Sequence, residues 1–486
     1  MNTFKTLFLS FLASVGIAGC SLDTAPTDSV NTGIAFSDAA TAENVLNGSW
    51  RYLMDSYFTY ANPGWYSLML TSDAMASDVA VQPGRYGYLA HYAFTNVVVN
   101  NSTTVRGVWT RAYKVIDNTN HIITKIETVP GDAALKARVK AQALALRGYL
   151  YLYLGTYFAE AYSVNPNSVA VPVYTEPSYS ATPGGKPLTL EAVYAQAEND
   201  LQEAFRALDG YTRDEQKQRH KINKNVVAGI LARLYQLKGD WDNASKYAAE
   251  ARQGYSLMEK NDYLGGFNSQ NNAEWIWGHP QTTEQSVASY SFHFLDVSSA
   301  ASYYYSFMAD PNFKDFFDAD DVRTQLFEWD TRRYRGGLLY KKFIFRSDLT
   351  ADLPLMRAAE MVLIEAEALA EADKLPEAII KLNELREKRG ADTPDLSALS
   401  KNELIDVILI ERRKELFGEG FGLYDIKRRQ KSVERKEARS ENVPGTSIGI
   451  RGHTILKFPD GSDFKANSPY YIFAIPETET LYNDNF

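Results

Sequence analysis

The 486-residue chain has one cysteine, Cys20, and six histidines, at positions 91, 121, 220, 279, 293 and 453. A single thiol excludes an intrachain disulfide, a CxxC redox pair and a thiolate zinc site. No HExxH pair occurs, so no metal site is expected, and neither a P-loop nor a G-x-G-x-x-G fingerprint calls for a cofactor. Positive charge is in short supply: 51 Lys and Arg stand against 60 Asp and Glu, a net charge of −9 with no long basic run. That balance argues against a nucleic-acid or anionic-lipid surface. Long hydrophobic runs are missing after residue 20, and the one before it, from about Leu7 to Ala18, is too short to span a bilayer. What the chain does have is aromatic mass, with 31 Tyr, 24 Phe and 7 Trp. Its 45% hydrophobic and 23% charged content suits a soluble globular protein with a sizeable core.

The apolar run from Leu7 has the length of a secretory signal core and follows Lys5. It ends in Ile17-Ala18-Gly19-Cys20, which resembles the bacterial lipobox, so residues 1–19 are expected to be a signal peptide and Cys20 the lipidated first residue. Residues 20–32, polar and interrupted by Pro26, then form a tether.

Most of the remainder is patterned as helices. Asp132 to Leu154 places Leu135, Val139, Leu146, Leu150 and Tyr153 at helical spacing behind an Asp132 N-cap. Thr189 to Leu208 repeats the pattern with Val193, Ala197, Leu201 and Ala204. Val226 to Gln253 carries a turn at Lys238-Gly239-Asp240, with Ala228, Leu231, Ala232 and Tyr235 before it and Ala244, Ala248 and Ala251 after it. These are tetratricopeptide offsets, where small residues let two helices approach closely. Val362 to Leu385 is a weaker copy, and the distance between the two excludes a tandem solenoid. Glu274–Gly278 and Leu338–Phe345 read as short strands, and the Tyr-rich stretches 55–105 and 279–335 as long loops of the kind that carry function.

No catalytic set emerges. Gly445-Thr446-Ser447-Ile448-Gly449 fits G-x-S-x-G, but Asn442-Val443-Pro444 precedes it where a nucleophile elbow needs a buried strand. Glu360, Glu365 and Glu367 offer carboxylates for glycoside hydrolysis, although an ion-paired helix face accounts for them better. The dense mixed-charge run Glu411-Arg412-Arg413-Lys414-Glu415-Leu416-Phe417-Gly418-Glu419-Gly420 is read as architecture: Ile405, Leu409 and Leu416 form a buried face and the charges pair with neighbouring helices, with Asp425 and Arg428 pairing beyond.

That run, followed by Tyr424-Asp425-Ile426-Lys427-Arg428, resembles the ERR-x-EL-x-x-EG signature of the SusD/RagB family of Bacteroidetes outer-membrane lipoproteins. Similar matches occur in order at Trp109 to Ile123, Ala141 to Tyr151 (with Gly148 where Ala is usual), Asp200 to Ala204, Lys238 to Ala244, Asp321-Val322-Arg323, Leu355 to Glu360 and Ile475 to Glu479. The Asn-Pro-rich tail of the family is reduced to Asn483-Asp484-Asn485-Phe486. The resemblance implies a mainly α, SusD-like fold over residues 33–486: four tetratricopeptide-like helix pairs scaffold an irregular, loop-rich ligand-binding half with a few short strands. Its N-terminal part would run from about 33 to 265 and its C-terminal part from about 266 to 486. The implied activity is not enzymatic. Such a protein captures a glycan at the cell surface and delivers it to a SusC-like TonB-dependent transporter in the outer membrane. The alternatives are an oligopeptide ligand, a surface glycoside hydrolase, or a tetratricopeptide adaptor that would leave the Tyr-rich loops without a purpose.

A sugar ring has an apolar C–H face and a rim of hydroxyls, so its site needs flat aromatic platforms beside planar donors and acceptors. Two segments have that mix. Gly84-Arg85-Tyr86-Gly87-Tyr88 is a Gly-loosened loop in which Arg85, Tyr86 and Tyr88 are the candidates. The other is Tyr290 with Tyr303, Tyr304 and Tyr305. Both lie roughly where the family places its ligand loops. Trp109, Trp275 and Trp277 are assigned to the core.

Overall fold

The computed structural model describes residues 35–59, 62–82, 87–179, 181–300 and 302–486. Cys20 and the expected signal and tether lie outside them, as do Arg85 and Tyr86. The longer helices are α1 Ala39–Met54, α2 Tyr66–Ala74, α3 Thr103–Lys125, α4 Ala133–Phe158, α5 Leu190–Ala207, α6 Lys224–Lys238, α7 Trp241–Ala251, α8 Ala358–Glu371, α9 Leu375–Arg389, α10 Lys401–Leu416 and α11 Gly422–Arg428. The strands are β1 Val79–Val81, β2 Val169–Pro172, β3 Pro187–Thr189, β4 Trp275–His279, β5 Phe307–Ala309, β6 Phe327–Trp329, β7 Leu338–Tyr340 and β8 Leu353–Arg357.

Helix starts follow from local chemistry. Asp132, Thr189, Asn223 and Asp240 each accept a bond from a first-turn N–H, and Ser400 forms a capping box with Glu403. Gly239, at φ +73°, ends α6 in the left-handed region and turns the chain directly into α7. The helices pack as four pairs, α1 with α3, α4 with α5, α6 with α7 and α8 with α9, and successive pairs touch to make one scaffold. The exceptional Gly148 has a local cause. A Cβ there would lie 2.9 Å from the Ala197 carbonyl oxygen and 2.9 Å from Leu201 Cγ, so α4 and α5 approach too closely for alanine.

The strands form three small antiparallel sheets, in the orders β1-β5-β7-β6, β2-β3 and β4-β8. Trp275 and Trp277 are wholly buried on β4. Two expectations are revised. The stretch 55–105 is not loop throughout, because it contains β1 and α2, whose nine residues are all buried. A helix covered on every side has no amphipathic stripe for periodicity to find. The strand expected at Leu338–Phe345 ends at Tyr340, because Lys342 leaves the sheet and donates to the Glu415 and Phe417 carbonyls at 2.8 and 2.9 Å.

Lys342 enters an ion network that explains the 411–420 run. Glu415 receives Arg323, Arg357 and Arg389, each within 3.0 Å. Glu419 pairs with Arg357 (2.7 and 2.8 Å) and Lys342, Glu274 with Arg389 and Arg357, Glu411 with Arg323, and Asp321 with Arg323 and Lys414. Burial would raise the Glu415 pKa, but Arg389, Arg357 and Arg323 outweigh it and hold the carboxylate well below its ordinary range. Beyond α10, Asp425 takes Arg412 and Arg428, and Arg428 reaches Glu367 at 2.6 Å. Glu360 is likewise bound to Arg233 at 2.7 Å and Glu365 to Arg252. All three carboxylates of the α8 face are therefore committed to ion pairs. The short tail is anchored too: Asn483 and Asn485 side-chain amides donate to the Gly185 and Gly184 carbonyls at 2.9 and 2.7 Å.

Candidate functional site

Tyr290 lies on a 3-10 turn, Val287–Ser291, that runs into the short helix Phe292–Leu295. The chain then loops back, and residues 302–305 fold over the His293 backbone. The His293 carbonyl accepts from Ser302 Oγ (2.7 Å), Tyr304 N–H (3.1 Å) and Tyr305 N–H (2.8 Å). Its ring Nδ1 accepts from Tyr303 N–H at 3.2 Å, which leaves the ring proton on Nε2. Burial depresses the His293 pKa to about 4, so the ring is neutral at pH 7 and offers its lone pair.

This turn sorts the tyrosines. Tyr303 is 65% exposed, and its ring lies flat on the His293 imidazole, 4.2 Å between centroids and 13° between planes. Tyr304 is half-buried and stacks on Phe294 at 4.6 Å. Tyr290 stands 6.2 Å from Tyr303 and 5.9 Å from Tyr304, with its hydroxyl 3.4 Å from the Tyr304 hydroxyl. Three of the candidate rings thus share one shelf, presented by a backbone with its hydrogen bonds made.

The other two described candidates are placed differently. Tyr305 takes a left-handed φ of +54° that turns its ring inward, leaving it 6% exposed. Burial pushes its hydroxyl pKa up to about 12. Tyr88, expected on display, is 2% exposed, with its ring packed edge-on against Phe294 (5.0 Å) and Phe307 (5.5 Å). The neighbouring Gly87, at φ +106°, sits so near Phe294 that a Cβ would come within 2.4 Å of its ring. Gly87 and Tyr88 therefore close onto the underside of the shelf, and Tyr88 supports Phe294, which in turn carries Tyr304. His293 was overlooked in the sequence, although its i+3 spacing from Tyr290 placed the two rings together.

Cavities lie apart from these tyrosines. One of about 360 Å³, between α10, α11 and residues 73–79, is walled by Leu409, Ile410, Phe417 and Phe421 and by the 2.7 Å Asp78–Arg413 pair. A smaller one of about 150 Å³ is lined by Trp109, Tyr113, Tyr174, Asp117 and Glu479. Trp109 is 4% exposed, as a core residue should be, and donates its indole N–H to Glu479 at 2.9 Å. The G-x-S-x-G serine, Ser447, is exposed, whereas His453 is buried between the Tyr92 hydroxyl (2.9 Å) and the Ser77 carbonyl (2.8 Å). The imidazole is thus spoken for on both nitrogens.

Comparison with known proteins agrees with this architecture. Residues 324–486 match the family model described as "SusD family", and residues 40–236 match one described as "Starch-binding associating with outer membrane". SusD-like protein P2 of Formosa agariphila is 25% identical, over 88% of this chain and 91% of its own length. A SusD-like carbohydrate binding protein from Bacteroides vulgatus, known as a crystal structure, is 39% identical with a TM-score of 0.86, covering 93% of this chain and 98% of that one. A SusD superfamily protein from Bacteroides thetaiotaomicron shares the fold at 23% identity, with a TM-score of 0.77 over 92% of this chain and 98% of that one. With a helix-pair scaffold, a buried 411–420 ion network and a relative this similar over nearly its full length, the chain belongs to the SusD family.

Proposed function

We propose that this protein is a surface glycan-binding lipoprotein whose Tyr290–Tyr303–Tyr304 shelf captures an oligosaccharide for a SusC-like, TonB-dependent outer-membrane transporter. The observation that carries the reading is the Tyr303 ring, exposed over most of its area yet fixed flat on His293. A pinned flat ring with an open face suits the C–H face of a pyranose. The carbohydrate-binding relative from Bacteroides vulgatus supports the same reading. The protein holds and releases its ligand without turnover.

Affinity electrophoresis against a panel of polysaccharides tests this. Tyr303→Ala should weaken binding about tenfold, close to 1.4 kcal/mol, with an unchanged melting temperature, because the ring is exposed. Normal binding by both Tyr303→Ala and Tyr304→Ala places the site elsewhere. Retention of peptides in place of glycans selects the oligopeptide alternative. Release of reducing ends above a buffer control, lost on one Glu or Asp substitution, selects a hydrolase.

On the same reading, residues 1–19 are removed, lipid on Cys20 anchors the protein, and residues 20–32 hold the body away from the membrane. Cys20→Ala should move the protein from the membrane pellet to the soluble fraction after a salt wash. Equal pelleting of variant and wild type rejects the anchor.

A further inference from the structure

Although the chain is acidic as a whole, with a net charge of −9, a hairpin tip joined to the tyrosine shelf carries arginines of its own. The β6–β7 hairpin ends in Thr331-Arg332-Arg333-Tyr334-Arg335, and all three arginines are exposed. Buried Asp330 shapes the tip: its carboxylate accepts the N–H groups of Arg332 (2.8 Å), Arg333 (3.0 Å) and Tyr334 (2.7 Å). Asp330 is thus occupied by backbone donors, and Glu328 on β6 is paired with Lys341 at 2.9 Å. A fourth exposed arginine, Arg451, is tied to the same tip by its N–H to the Gly336 carbonyl at 2.8 Å. Among the described residues none of these four guanidinium groups has a carboxylate partner, whereas the arginines of the 411–428 network are all paired.

The tip is joined to the shelf. Arg333 lies over the Tyr305 ring at 4.6 Å and reaches the Ser302 carbonyl at 3.4 Å, and Tyr334 stacks on Tyr305 at 5.9 Å. Ser302 and Tyr305 are the two ends of the segment that presents Tyr303. Arg333 therefore joins the aromatic platform to a tip that also carries Arg332, Arg335 and Arg451, four forked cations without counter-ions. Holding them together without an anion costs mutual repulsion, and guanidinium groups bind carboxylate and sulfate oxygens in pairs.

We infer that the ligand of this surface is an acidic glycan, one carrying carboxylate or sulfate groups, with its sugar rings on the tyrosines and its anions on Arg332, Arg333, Arg335 and Arg451. The inference rests on the glycan-binding reading above and narrows it to a class.

Binding is measured at about 0.15 M salt, where long-range attraction is already screened, against uronate polymers (polygalacturonate, alginate), sulfated polymers (carrageenan, chondroitin sulfate), neutral polymers (starch, xylan, laminarin) and phosphatidylglycerol vesicles. The wild type should bind an acidic polymer. The Arg332→Ala/Arg335→Ala/Arg451→Ala triple variant should bind it at least tenfold more weakly with an unchanged melting temperature, and Tyr303→Ala should weaken it too. The uronate and sulfate arms identify which anion is read. Binding of neutral polymers alone, lost in Tyr303→Ala and indifferent to the arginines, overturns the inference and keeps the glycan reading. No binding to any polymer overturns both. Arginine-dependent binding to vesicles without binding to acidic polymers assigns the patch to a membrane and overturns the inference.

Discussion

Glu415→Gln is expected to destabilise the protein by about 3–5 kcal/mol, the range for breaking a buried ion pair from one side. Arg323, Arg357, Arg389, Lys342 and Lys414 face Asp321, Glu274, Glu411, Glu415 and Glu419, so the network is balanced in charge. Gln keeps the shape of Glu415 but leaves one positive charge uncompensated where three guanidinium groups converge, each wholly buried. A urea titration with circular dichroism reads the loss, and Lys457→Ala, which removes the exposed 3.2 Å pair with Asp463, is the control expected within about 0.5 kcal/mol. The pH dependence has a definite sign. The folded Glu415 pKa is depressed below the ordinary 4.5, so its contribution is present in full above that value and is lost as the pH falls below it. The gap between wild type and Glu415→Gln should therefore narrow only below about pH 4.5. A loss under about 1 kcal/mol at pH 7 would show that the network arranges the fold without stabilising it.

Gly420→Ala should cost nearly as much, by a different route. Gly420 has φ +90°, a region that costs an L-residue about 1–2 kcal/mol. An added Cβ would also lie 2.7 Å from Met69 Cβ and 2.8 Å from Met69 Cα, so α2 itself would have to move. Overpacking of that kind costs about 1–3 kcal/mol more. Movement of α2 would stretch the bonds by which Asp73 accepts the Gly420 and Gly422 N–H groups at 2.8 and 2.9 Å. Those two donors partly offset the burial that raises the Asp73 pKa to about 7. Gly445→Ala separates the two costs: φ there is +73°, but nothing lies within 4 Å of the new Cβ. It should lose only the backbone term, about 1–2 kcal/mol. Equal losses at the two positions would mean that contact with α2 is unimportant.

Helices with one buried face were legible from spacing and capping residues. α5 and α7 begin at Thr189 and Asp240, where the sequence marks a start and a turn, and their apolar residues recur at the helical period. The 411–420 run was legible as architecture because so many opposite charges in one short stretch need partners. Those partners were not: Arg323, Arg357 and Arg389 come from three separate elements, and only packing brings them to one carboxylate. α2 was invisible because it is covered on all sides and so carries no pattern. The tyrosines draw the distinction most sharply. Their abundance in two loops marked both as worth attention, yet Tyr88 and Tyr303, the same residue in two Tyr-rich stretches, differ in that one is buried while the other is exposed. What separates them is the His293 carbonyl, which takes three donors from residues 302–305 and turns Tyr303 outward, and Phe294, which covers Tyr88. Capping and periodicity act within a few residues and are written along the chain. The exposure of a ring depends on which distant surface closes over it, and that is decided only when the elements pack.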